Sequence, residues 1–214
     1  MNDVTHQISA VRRTVGKRVL EAGEASVVTV SRLYPADLDD LWDACTKPER
    51  IQRWFLPVEG ELRLGGRYQL VGNAGGVVER CDPPKGFAAT WEFGGEVSWI
   101  ELKLTPEADG TRFELEHVAH VDDERAAEFG PGAVGIGWDS ILLGLFQHVT
   151  SPETAIKPSE AMAWMLSPEG KAFVTASSED WYRANVEAGA DPAAARAAAD
   201  RCTAAYTTAP PEEA

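Results

Sequence analysis

The chain is poor in cysteine, in positive charge and in long apolar runs. Three cysteines occur among 214 residues (Cys45, Cys81 and Cys202), and no two stand close together. That spacing excludes a zinc knuckle and a thioredoxin-like CxxC site, and it fits a reduced compartment. Lys and Arg number 20 against 34 Asp and Glu, for a formal net charge of −14. Such a chain repels nucleic-acid phosphates and anionic membrane surfaces, so neither is an expected partner. No run approaches the roughly 18–20 apolar residues that a membrane-spanning helix requires. The N-terminus lacks the apolar core of a signal peptide, which makes a cytoplasmic protein the expectation. A phosphate-cradling glycine loop with Lys and Ser/Thr, a GxSxG elbow and an HExxH pair are all missing. Asp122, Asp123 and Glu124 do not have the spacing of an EF-hand and read as a solvated turn. No metal and no cofactor are therefore expected.

What is present is an ordinary globular composition, 44% hydrophobic and 25% charged, long enough for one domain with a core plus an appendage. Residues 1–24 form an N-terminal segment in which 11–20 could pair as a hairpin with a β-branched strand at 25–33. Pro35 ends that strand. Asp37 is placed to cap a helix carrying Leu38, Leu41 and Trp42, and Pro48 opens a second short helix running to Phe55. Between 61 and 121, short strand-like runs alternate with glycine and proline turns, the pattern of an antiparallel meander. Ile100, Leu102 and Leu104 alternate with Glu101 and Lys103, and Phe113, Leu115 and His117 with Glu114 and Glu116. One face of the sheet is thus dry and needs a cover. The stripe Trp138, Ile141, Leu142, Leu145, Val149 predicts that cover as a helix over 137–151, with the glycine-rich 130–137 as a lid or hinge. Asp139, at its start, is expected only to favour the positive helix end. Beyond Pro152 the pattern gives three further helices, near 159–166, 167–186 and 191–206, which dock on the domain through residues such as Met162, Trp164, Phe173 and Trp181.

Five pieces in order carry a resemblance. They are Leu41-Trp42-Asp43-Ala44-Cys45-Thr46-Lys47-Pro48-Glu49-Arg50 running on to Trp54-Phe55; Gly65-Gly66-Arg67-Tyr68; Asp82-Pro83-Pro84-Lys85-Gly86-Phe87-Ala88-Ala89-Thr90-Trp91-Glu92; Gly110-Thr111-Arg112-Phe113-Glu114-Leu115-Glu116-His117; and Gly137-Trp138-Asp139. Together, from about Ser26 to about Ser151, the chain resembles the START-like (SRPBCC) superfamily, most closely the branch of homologues of the activator of the heat-shock protein 90 ATPase. The resemblance implies an α+β helix-grip fold. A curved antiparallel sheet wraps a long C-terminal helix, with two short helices after the first strand. The domain would span 25–152, with 153–214 as an added helical extension. It says little of function, because that superfamily holds ligand carriers, cyclases, hydrolases and chaperone cofactors alike.

In a helix-grip fold a ligand lies between sheet and helix. Expected wall residues are Trp54, Phe55, Trp91, Trp99, Phe113, Leu115, His117, Trp138 and Leu142, and the seven tryptophans of the chain are more than a core of this size needs. The expected ligand is a small hydrophobic or aromatic molecule. A second reading is a cyclase- or hydrolase-like enzyme in which an inward His117 works with Glu79 or Arg80, only one of which can face inward on a regular strand. A third is a chaperone-cofactor-like interaction module. The C-terminal helices either brace the sheet or form a homodimer interface.

Overall fold

The protein is described here by a computed structural model that covers residues 4–121 and 127–208. The acidic 122–124 turn and the tail from 209 onward lie outside the described residues. The strands are β1 (Val11–Leu20), β2 (Gly23–Tyr34), β3 (Val58–Gly60), β4 (Arg67–Leu70), β5 (Gly75–Asp82), β6 (Gly86–Phe93), β7 (Glu96–Glu107) and β8 (Gly110–His120). The helices are α1 (Val4–Ser9), α2 (Leu38–Thr46), α3 (Pro48–Ile51), α4 (Gly132–Thr150), α5 (Ala161–Leu166), α6 (Pro168–Glu187) and α7 (Pro192–Thr207). The strands make one antiparallel sheet in the order β1-β2-β8-β7-β6-β5-β4-β3. β1 and β2 form a hairpin, α2 and α3 carry the chain to the far edge, and a meander returns until β8 pairs with β2.

Alternation gives the sheet its apolar face. Ile100 stands opposite His117, Leu102 opposite Leu115 and Leu104 opposite Phe113, and all six side chains are buried. Such directly opposed pairs are the unit that stabilises a sheet. Gly94 and Gly95, with φ of +62° and +84°, close the β6–β7 hairpin in the conformation that a two-residue turn demands. Asp37 stands at the N-cap of α2, but its side chain accepts no capping bond. Ser167 and Asp191 do cap α6 and α7, accepting from Gly170 N at 3.1 Å and Ala194 N at 2.9 Å.

The covering helix α4 begins at Gly132, so the glycine-rich stretch is helical rather than a lid. The reason is close packing. A Cβ on Gly135 would fall 2.2 Å from the Trp181 ring, and one on Gly132 3.1 Å from Cys202 Sγ. The helix accepts poor intrinsic propensity so that α6 and α7 can lie against it. On its other side Gly144 lets the Trp54 carbonyl approach, where a Cβ would be 2.6 Å away. Met162, by contrast, does not dock; it is 61% exposed.

Asp139 corrects a second expectation. It sits inside α4, not at its positive end, and is 1% exposed. Its carboxylate accepts from Arg13 Nε of β1 at 3.2 and 2.9 Å, from Ser177 Oγ and from Trp181 Nε1 of α6 at 3.0 Å. Arg13 Nη1 also donates to Asp180 of α6 at 3.0 Å and to the Ile8 and Val11 carbonyls. Burial pushes the Asp139 carboxyl above the usual range, and Arg13, Ser177 and Trp181 pull it back.

Three outcomes are expected for stability in urea titrations. Arg13→Met leaves a buried carboxylate uncompensated and costs about 3–5 kcal/mol, whereas the double variant Arg13→Met/Asp139→Leu recovers much of that loss. Gly135→Ala overpacks Trp181 and costs about 1–3 kcal/mol. Gly137→Ala, whose Cβ meets nothing nearer than Tyr206 Oη at 3.4 Å, is neutral or stabilising by up to about 1 kcal/mol from helix propensity.

Candidate ligand cavity

The sheet and α4 do not close completely on each other. Between them lies a cavity of about 510 Å³. Its floor is the inward face of the central strands: Tyr68, Ala89, Trp91, Ile100, Leu102, Phe113 and Leu115. Trp138 and Ile141, three residues apart on α4, form the roof, and Trp42, Trp54 and Phe55 of the α2–α3 region form a side wall. Leu64, 60% exposed, and Arg63 belong to the same lining and mark its rim.

Each wall element is held from behind. Trp54 donates through Nε1 to the Ala44 carbonyl at 3.1 Å and stacks on Phe55, with ring centroids 6.0 Å apart. Tyr68 donates its hydroxyl to the Thr90 carbonyl at 2.7 Å, and Thr46 donates to the Trp42 carbonyl at 2.7 Å. Arg63 pairs with Glu61 at the surface. The polar groups of the lining are therefore mostly spent on the protein itself. Trp42 Nε1 and Trp91 Nε1 are the exceptions, with no hydrogen-bond partner among the described residues. Cys45 and Cys81 also line the space, and burial pushes the Cys45 thiol up to about 12, which keeps it protonated and a poor nucleophile.

Of the residues expected from sequence, Trp54, Phe55, Trp91, Phe113, Leu115 and Trp138 border the cavity. Trp99 does not. The pleat that turns Ile100 inward turns Trp99 outward, where it packs with Ala25, Val27 and Val118 and meets His120 edge-on at 5.4 Å. Leu142 is fully buried beside the cavity rather than on it, and its carbonyl accepts from Tyr34 Oη at 3.0 Å. Ile141 takes its place. Trp42, Tyr68, Phe87 and Leu62 border the cavity unforeseen. The helical spacing of Trp42 with Leu38 and the alternation of Tyr68 with Leu70 were the available signals.

His117 points inward, as its alternation predicts, but it is a bonded strut and not a free base. Trp138 Nε1 donates to His117 Nδ1 at 3.0 Å. The other nitrogen therefore carries the proton and donates to Ser98 Oγ at 2.8 Å, and Ser98 donates in turn to the Trp91 carbonyl at 3.1 Å. Burial depresses the imidazole to about 4.

The proposed partners of His117 are elsewhere. A β-bulge at Glu79 breaks the alternation of β5: Val78 opposes Ala89, Arg80 opposes Ala88 and Cys81 opposes Phe87. Val78 and Cys81 then both face inward, while Glu79 and Arg80 are both exposed. Arg80 pairs with Glu101 on the outer face at 3.1 Å. The acid–base arrangement of His117 with Glu79 or Arg80 is thus not assembled. Among the described residues there is also no group of three or more His, Cys, Asp or Glu that could hold a metal ion, and no helix long and apolar enough to cross a membrane.

The neutral burial of His117 carries a pH signature. Its folded pKa lies below the unfolded value of about 6.5, so the unfolded chain binds more protons between those limits. The stability from burying it neutral is fully present above about pH 6.5 and is lost as pH falls towards 4, a change on the order of 3 kcal/mol. The stability difference between wild type and His117→Gln, measured in urea at pH 7 and pH 4.5, shrinks accordingly. In NMR titration, the imidazole stays neutral down to about pH 4; an ordinary midpoint near 6.5 contradicts the bonded arrangement.

The fold agrees with that of known proteins. The crystal structure of CalU16 from Micromonospora echinospora is 34% identical, with a TM-score of 0.67, over 85% of this chain and 99% of that one. Its solution NMR structure gives 35% identity and a TM-score of 0.68, over 85% of this chain and 97% of that one. DynU16, a protein in the dynemicin biosynthetic locus, shares the fold at 21% identity, with a TM-score of 0.55, over 62% of this chain and 49% of that one. No curated protein matches the chain in sequence. The family model described as Activator of Hsp90 ATPase homolog 1-like protein matches residues 35–150, the stretch from the end of β2 through α4 that builds every wall of the cavity. On that match, and on the likeness to CalU16 over most of its length, the chain belongs to this family of START-like proteins, and its architecture is the helix-grip fold.

Proposed function

We propose that the protein binds a small hydrophobic or aromatic molecule in the space between sheet and α4. The observation that carries this reading is the cavity of about 510 Å³, walled by four tryptophans and lined almost wholly by apolar atoms. Its size lies within the range of about 300–1,000 Å³ found for small-molecule sites. A void of that size without an occupant forfeits dispersion contacts around its whole lining, so an apolar guest restores contacts that the core lacks. Specificity would come from the two indole donors, Trp42 Nε1 and Trp91 Nε1, which suit a carbonyl or hydroxyl oxygen on an otherwise flat ligand. The family to which the chain belongs supports small-molecule binding in general terms. With His117 bonded on both nitrogens and the Cys45 thiol held protonated, the interior offers a receptacle rather than an acid–base centre.

The reading is tested with 1-aminoanthracene, a neutral aromatic fluorophore, and with native mass spectrometry of the purified protein for a retained small molecule. Wild type binds the probe with a gain in emission and with energy transfer from the cavity tryptophans. Ala89→Phe, which projects a ring into the floor, weakens binding at least tenfold while far-UV circular dichroism stays unchanged. Equal binding by both proteins would overturn the assignment.

A further inference from the structure

A second, smaller recess of about 240 Å³ lies on the far side of α4 from the main cavity, between α1, α4, α5 and α6. Its lining differs in kind. Two glutamines, Gln7 of α1 and Gln147 of α4, face it, and both are about 95% buried (5% and 4% exposed). Each amide is fixed by its oxygen. Gln7 Oε1 accepts from Arg32 Nη2 at 2.7 Å, and Gln147 Oε1 accepts from the Ile156 amide at 3.0 Å. Both of those partners can only donate, so the amide orientation is not interchangeable. The free end of each side chain is its NH₂ group. Neither Nε2 has a hydrogen-bond partner among the described residues, and neither is among the sealed polar atoms without a partner, which are Arg13 Nη2, Ser31 Oγ and Arg32 Nε. Both donors are thus accessible on side chains that line the recess, and Gln147 also borders an adjoining one.

Two amide donors with no protein acceptor, on side chains that are themselves buried, thus share one small space. The remaining wall is aromatic: Trp164 and Phe173, with ring centroids 5.5 Å apart. Glu169 also borders the recess, and its carboxylate opposes an anion. We infer that this recess is a binding site for a neutral carbonyl compound, a ketone or amide on a single aromatic ring, whose oxygen accepts from Gln7 and Gln147 while the ring packs on Trp164 and Phe173. The volume suffices, since an apolar cavity of about 150 Å³ already admits benzene. No residue lines both this recess and the main cavity, and an adjoining recess of about 210 Å³ lies between them, sharing Gln147 and Trp164 with the one and Trp54, Phe55 and Ile141 with the other.

The experiment uses the full chain, labelled with ¹⁵N, and three probes of similar shape: 4-fluoroacetophenone, 4-fluorobenzoate and 1-ethyl-4-fluorobenzene. The chain has four glutamines, Gln7, Gln52, Gln69 and Gln147, so their side-chain NH₂ signals are few and are assigned by single substitutions. The ketone shifts the NH₂ signals of Gln7 and Gln147 and leaves those of Gln52 and Gln69 in place, and the hydrocarbon does not shift them. ¹⁹F line broadening gives at least fivefold tighter binding for the ketone than for the benzoate. Gln147→Glu keeps the acceptor for Ile156 but replaces the donor, and weakens the ketone about tenfold; Gln147→Met, which avoids a new buried charge, does the same. Ala89→Phe leaves the shifts unchanged, which separates this site from the main cavity. Shifts that vanish in Ala89→Phe, equal shifts from the hydrocarbon, tighter binding of the benzoate, or no shift at either glutamine with any probe would each overturn the assignment.

Discussion

The architecture turns on one buried ion pair, Arg13 with Asp139. An α-helix lying across a sheet is free to rotate about its axis until something directional stops it, and apolar contact alone is not directional. Asp139 supplies the direction. Its carboxylate is held by a β1 guanidinium on one side and by Ser177 and Trp181 of α6 on the other. With that residue fixed, Trp138 and Ile141 must face the sheet, and Gly132 and Gly135 must face the C-terminal helices. A buried pair of this kind adds little net stability over well-packed apolar residues. Its directional bonds, with the close contacts at Gly132 and Gly135, tie α4 to β1 and the C-terminal helices in the observed rotation. It also binds three distant parts of the chain, the first strand, the central helix and the C-terminal extension, into a single core.

That fixed rotation explains why the interior stays hollow. The large aromatic residues around the space are held in place by hydrogen bonds: Trp138 of the roof by His117 of β8, and Trp54 of the side wall by the Ala44 carbonyl. The floor includes a small residue, Ala89, beneath them. Collapse would require breaking those bonds or moving the turn after α3, whose Trp54 carbonyl is wedged at Gly144. The bulge at Glu79 contributes as well. It rotates β5 so that Cys81 lines the cavity while two charged residues, Glu79 and Arg80, stay outside, keeping the lining apolar at the edge nearest solvent.

Much of this was legible in the sequence because it depends on local periodicity. The alternation of β7 and β8, the proline-led starts of α3, α6 and α7, and the apolar stripe of α4 all report their structure within a few residues. The rest depends on what lies far away along the chain. The helical state of 132–137 is tied to Trp181 and Cys202, which pack with the closeness that Gly135 and Gly132 allow. The role of Asp139 is decided by Arg13, 126 positions earlier. The inward or outward choice at Glu79 and Arg80 rests on a one-residue bulge that no alternation pattern announces. Trp99 is different: the pattern that placed Ile100 inside already placed its neighbour outside, and only its aromatic character suggested the cavity.

His117 joins the sheet to the covering helix. An unpaired imidazole in this place would bring a titratable group to the edge of an apolar cavity. Bonded to Trp138 on one nitrogen and to Ser98 on the other, it becomes the tie between roof and floor instead. The Ser98 hydroxyl passes the constraint to the Trp91 carbonyl, and Trp91 lies 5.3 Å from Trp138, ring centroid to ring centroid. Two cavity tryptophans are thus positioned by one neutral histidine. Desolvation keeps the ring neutral, and the Trp138 indole fixes its tautomer, because a ring that accepts at Nδ1 carries its proton on Nε2 and donates to the hydroxyl. The residue that looked most like a catalyst is better understood as the support that keeps the cavity's shape.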